Sequence, residues 1–152
     1  MRNIYQVARE SAELTQERAA ELIGLSVESI RSYESGKRVP NDDAVIKMVE
    51  IYWDDYLAYE HLKHKTQVGN VVLPDVKEVP LSQAALQMIN SMNQFIECES
   101  EIVQITMDGI IDKDEEQAWL NIMKKCRGLH KAVLTLQYSK KGGDRKCIIQ
   151  NL

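Results

Sequence analysis

Over the first 65 positions the apolar residues come in short bursts at helical spacing, each burst cut off by polar residues or by glycine. Ile4, Val7, Ala8 and Ser11 stand at i, i+3, i+4 and i+7, and Ala44, Met48, Ile51 and Tyr52 form a second stripe of the same kind. Between them Ala19, Leu22 and Ile23 lead to Gly24, and Val27, Ile30 and Tyr33 lead to Gly36. The pattern predicts four or five short helices. Each is too short to hold its shape alone, so their stability must come from packing on one another.

From Thr66 to Pro80 the helical period is lost, and Gly69, Pro74 and Pro80 fall within fifteen residues, which reads as a linker. Beyond it Ala85, Met88, Met92 and Phe95 step by 3, 4 and 3, predicting a long helix from about Ser82 to about Ile105. Trp119, Ile122, Cys126, Leu129, Val133 and Leu136 then step by 3, 4, 3, 4 and 3, a heptad seam. A turn at Asp108-Gly109 joins the two helices into a hairpin. The expected organisation is all-α, with an N-terminal domain over residues 1–65, a linker over 66–80, a helical hairpin over 81–139 and a flexible tail over 140–152.

Composition narrows the class without naming a function. The chain has 152 residues, 44% hydrophobic and 28% charged, which argues for folded globular structure rather than disorder. Apolar runs such as Val71-Val72-Leu73 are too short to cross a membrane, and Gln6, Arg9 and Glu10 interrupt any apolar core of a signal peptide. A soluble, cytoplasmic protein is expected. Cys98, Cys126 and Cys147 are odd in number and widely spaced, so free thiols fit better than a disulfide framework or a zinc site. No nucleophile–base arrangement or phosphate loop is found, and no catalytic residue, metal or cofactor is implied. His61 and His64 lie at i, i+3, but a solvated helix end explains them better than a metal site does.

The most informative stretch runs from Leu14 to Lys37. Thr15 can cap one helix, small Ala19 lets a second approach closely, Gly24 permits a sharp turn, and Ser26 can cap the next helix. Helix, tight turn, helix is what remains. Ile30, Tyr33 and Leu22 are expected to face inward, leaving Val27, Glu28, Arg31 and Ser32 on the outer face of the second helix. An exposed helix held in this way is the shape that enters a major groove.

The series Leu-Thr-Gln-Glu, Ala-Ala-Glu-Leu, Gly, Ser, Ile, Glu-x-Gly-Lys and Pro, in this order from Leu14 to Pro40, resembles the helix-turn-helix of the phage-repressor family, also called Cro/C1 or XRE. The looser resemblance extends from about Tyr5 to about Trp53 and implies a lambda-repressor-like bundle that binds double-stranded DNA. It also implies roles for particular residues. Gln16 would hold a backbone phosphate, and Val27, Glu28 and Ser32 would read base edges with Arg31 and Ser26 beside them. Lys37 and Arg38 would supply the basic residues that follow the recognition helix, and Glu34 would pair with Arg9 inside the fold. Asn41 would cap the next helix.

Charge departs from that picture. Residues 1–65 hold nine Lys and Arg against twelve Asp and Glu, a net of −3 where a DNA-binding domain is usually positive. Only Arg2, Arg31, Lys37 and Arg38 are placed to face phosphates, so few neutralised contacts, a shallow salt dependence and a need for dimers are expected. Glu28 on the reading face favours cytosine amino groups and repels phosphate.

In the second half, Gln104 to Glu115 overlays a calcium loop at Asp108, Gly109, Asp112 and Glu115, but Gln104 stands where the first carboxylate belongs. Asp112-x-x-Glu115 reads better as a capping box. Met88, Met92, Phe95, Ile96, Ile89 and Val103 give the first hairpin helix more apolar surface than one partner helix covers, so a homodimer through the C-terminal helices is expected. The reading is a transcriptional regulator, a repressor on a palindromic operator. The alternative is a protein-interaction adaptor of antitoxin or anti-repressor type, in which a protein partner takes precedence over DNA.

Overall fold

The computed structural model describes residues 3–140. Contacts divide these residues into two compact units, one running to Leu73 and one beginning at Pro74. Of the expected tail over 140–152, all but Lys140 lies outside the described residues, with Cys147, and so does the expected phosphate contact Arg2.

The first unit holds α1 (Ile4–Ser11), α2 (Gln16–Ile23), α3 (Val27–Glu34), α4 (Asp42–Tyr52), α5 (Asp55–Lys65) and α6 (Gln67–Val72). The caps follow side-chain chemistry. The side chains of Asn3, Thr15, Ser26 and Asn41 each accept a hydrogen bond from a backbone N–H in the first turn of the helix that follows, satisfying donors the helix leaves unpaired. Gly24 ends α2 at φ 76°, a left-handed conformation that an L side chain would strain, although there is room for a Cβ. The core comprises Tyr5, Ala8, Ala19, Ala20, Ile23, Ile30, Tyr33, Val45, Met48, Val49, Tyr52 and Leu57.

Two inward expectations fail by about one helical position. Leu22 is 41% exposed, because α2 turns Ala19, Ala20 and Ile23 to the core and Leu22 lies off that face. Val7 is likewise exposed while Tyr5, Ala8 and Arg9 are buried. His61 is not a solvated helix end. It is buried, its Nδ1 lies 2.8 Å from the Tyr5 hydroxyl and its Nε2 lies 3.3 Å from an Asp42 carboxylate oxygen, so it ties α1, α4 and α5 together.

Residues 67–72, where the sequence shows no helical period, form the short α6. Its valines Val68, Val71 and Val72 point to solvent, so amphipathicity does not specify it. Backbone devices do. Thr66 Oγ1 accepts from Gly69 N at 2.9 Å and donates to Leu62 O at 2.8 Å, while buried Lys63 donates from Nζ to the carbonyls of Asn70 and Leu73 at 2.9 and 2.7 Å. A Cβ on Gly69 would stand 1.8 Å from the Leu62 carbonyl oxygen.

The second unit contains α7 (Leu81–Ile96), α8 (Glu99–Ile105) and α9 (Glu116–Gln137), and α9 packs along α7 and α8 as the return arm of a helical hairpin. The expected long first helix is broken at Glu97-Cys98. Cys98 N donates back to Phe95 O at 3.0 Å, a tightened last turn, and the buried Cys98 joins Ile105 and Ile122 in a small core. Asp112 N donates to Glu115 Oε2 at 3.0 Å, one half of the expected capping box. The heptad seam is followed at Ile122, Cys126 and Leu129, but Val133 is exposed and Ala132 and Thr135 are buried in its place. Two partner helices along α9 set two slightly different faces. The end of α9 is held where Lys140 N donates to Val79 O at 2.9 Å.

Two outcomes test this packing. Gly69→Ala forces α6 away from the α5 carbonyl and should lower the unfolding free energy by about 1–3 kcal/mol in urea titrations. Burial raises the Tyr5 hydroxyl from the ordinary value of 10.0 to about 12. A raised folded pKa means the folded state keeps a proton that the unfolded chain loses. The Tyr5 contribution is therefore whole below pH 10 and lost as pH rises to about 12, a span worth about 2–3 kcal/mol. Tyr5→Phe should make the alkaline fall in stability shallower between those limits.

Candidate nucleic-acid interface

The helix α3 sits between a buried face and an open one. Ile30, Tyr33 and Glu34 point inward, whereas Glu28 and Arg31 are exposed and Ser29 and Ser32 are half-buried. Its start is set by Ser26, whose Oγ accepts from Ser29 N at 3.1 Å and lies 2.9 Å from Ser29 Oγ. Its far end is tied down twice. Asn3 Nδ2 donates to Tyr33 O at 3.0 Å, and Arg38 N donates to Ser32 O at 3.2 Å.

A line of hydrogen bonds runs from the core out to this face. Arg9 grips Glu34 side-on, Nε to Oε1 at 2.6 Å and Nη2 to Oε2 at 3.0 Å, with both side chains buried. The third arm of the guanidinium, Nη1, donates to Leu14 O just ahead of α2. The bond to Glu34 raises the Arg9 pKa further, so the guanidinium stays charged. Gln16 Nε2 donates to the same Glu34 carboxylate at 2.8 Å, and Gln16 Oε1 accepts from Arg31 Nε at 3.3 Å. Arg31 Nη2 completes the line on Glu17 Oε1 at 3.2 Å.

The structure therefore brings Gln16 and Arg31 of the sequence-expected set together, with the start of α2 beside α3. Gln16 has a second amide N–H that Glu34 does not use, and a phosphate would be its natural acceptor. Val27 is half-buried and packs against the core, so α3 offers its N-terminal turn to a partner mainly through Ser26 and Glu28. Lys37 and Arg38 are exposed in the turn after α3, and the Arg38 guanidinium lies 5.8 Å over the Tyr33 ring. Glu17 is the residue that sequence reasoning missed. Its position next to Gln16 was visible, but its reach to α3 is a property of how the two helices pack.

Residues 7–52, under a third of the chain, match the helix-turn-helix family model, and the match covers α2 and α3 entirely. These residues form an XRE-kind helix-turn-helix domain. The XRE kind is a family of DNA-binding regulator domains, and its all-α, lambda-repressor-like bundle is the fold seen here. No curated protein and no solved structure matches the chain. Among the described residues, no helix is long and apolar enough to cross a membrane.

The Arg9–Glu34 pair gives this domain its sharpest stability test. Glu34→Ala strands a buried guanidinium and removes the acceptor that holds Gln16, and should cost about 3–5 kcal/mol. Replacing both residues with leucine should cost less than Glu34→Ala alone, because no unpaired charge is left inside. Chemical denaturation of the three proteins measures both differences.

Proposed function

We propose that this chain is a sequence-specific transcriptional regulator that represses by occupying a palindromic operator as a homodimer. The observation that carries the reading is α3, buried on one face, capped at Ser26 and held at both ends, with Glu28 and Arg31 open to a partner and Gln16 beside them. Gln16, Lys37 and Arg38 fix the protein on phosphates, while Ser26, Glu28, Arg31 and Ser32 read base edges, with Val27 at the margin. The homodimer draws its support from the second unit. Leu86, Ile89, Met92 and Ile96 fall on one side of α7 and all are exposed, with Leu86 at 69% and Ile89 at 52%. A face of that kind is costly to leave in water.

Selection from a random duplex library at near-physiological salt tests the reading directly. An enriched palindrome with half-sites about one helical turn apart is the expected result. Leu86→Glu with Ile89→Glu should turn a dimer into a monomer in sedimentation and weaken operator binding by on the order of 100-fold. No enrichment with a folded protein would overturn the operator reading.

A second reading, a protein-interaction adaptor, is favoured by the internal pairing of cations in the first unit: Arg31 with Glu17 and Arg18 with Glu21. Alanine at Arg31 and Ser32 separates the two. A repressor keeps its fold and loses base preference, whereas an adaptor keeps its partner.

A further inference from the structure

We propose that Glu17 is a positioning residue for Arg31, holding its guanidinium back along α2 so that it engages DNA only where a base or phosphate displaces the carboxylate. The inference rests on the reading of α3 as the DNA-contacting helix. Arg31 donates from Nε to Gln16 and from Nη2 to Glu17, so its whole side-on edge is engaged within the domain. That edge is one of the two parallel N–H pairs with which an arginine grips a phosphate or a guanine. Glu17 lies in the first turn of α2, and its carboxyl is held below the ordinary value by its own backbone N–H first, then by the Thr15 hydroxyl and by Arg31. It is therefore ionised throughout the neutral range. Gln16 is fixed by Glu34, so one of the two acceptors of Arg31 is anchored to the core before any ligand arrives.

The consequence is a cost on every contact that Arg31 makes. Breaking the pair offsets part of what the guanidinium gains from a phosphate or a guanine edge, so Arg31 adds to binding only where the new acceptor is stronger than the two it replaces.

The test uses the full chain with Glu17→Gln, which keeps the shape and removes the charge. Glu21→Gln on the same helix, paired with Arg18 instead, serves as the control. Glu17→Gln should tighten binding to the selected operator by about two- to fivefold, the range of an exposed ion pair, and to random duplex by no more than that. The salt slope should steepen by about one, for one more phosphate contact. In an Arg31→Ala background the gain should vanish. An equal gain in that background, or no gain at all, overturns the proposal, since Glu17 would then act as a bare charge or not act.

The Arg31 side-chain N–H resonance of the free protein supplies a reading without DNA. It should shift and exchange faster in Glu17→Gln but not in Glu21→Gln, and an unmoved resonance overturns the tether. Should no variant bind any duplex while that resonance moves, the DNA reading fails and the tether stands.

Discussion

The bidentate contact between Arg9 and Glu34 joins α1 to the end of α3, and much of the geometry on the open side derives from it. Charges taken out of water are stabilised only if every donor and acceptor finds a partner. Here each is met. Arg9 spends its remaining arm on Leu14 O, and Glu34 takes a further hydrogen from Gln16. Satisfying that buried carboxylate fixes the Gln16 amide, and the fixed amide then receives Arg31. A requirement of the core is thereby carried to the surface, where it determines which way two polar side chains face.

Much of this was legible in the residues. The Thr15, Ser26 and Asn41 caps and the Gly24 turn are local signals, the Arg9–Glu34 pair is implied by the family resemblance, and each is found where it was expected. Leu22 and Val7 were misplaced because an eight-residue helix offers about two turns of pattern, and a shift of one position then matches almost as many apolar residues. The α6 helix escaped for a different reason. It is specified by a threonine hydroxyl, a buried lysine amine and a glycine against a carbonyl, none of which leaves an apolar period. His61 was read as surface because its partners, Tyr5 and Asp42, are brought to it by tertiary packing alone.

In the second unit the apolar period predicted a hairpin but not the break within its first arm. Nothing in Glu97-Cys98 is a helix breaker. The turn there tightens at Cys98, and beyond it Cys98 and Ile105 pack with Ile122 in one small core. The outer side of α7 keeps Leu86, Ile89, Met92 and Ile96 exposed. Surplus apolar surface on a helix that already has one partner is a feature the sequence did announce, through the number of apolar positions rather than their spacing.

The negative balance of the first domain and the internal pairing of Arg31 have one physical meaning. Affinity for a polyanion is additive over unpaired cations, whereas discrimination among sequences depends on what must be given up to make each contact. A domain of net charge −3 over residues 1–65, whose Arg31 already has two acceptors within the fold, gains little from phosphates in general. Any ligand that recruits the Arg31 guanidinium must replace Gln16 and Glu17 at once, so the carboxylates that lower the affinity of this surface for anions also set how strong a contact has to be before Arg31 leaves the fold.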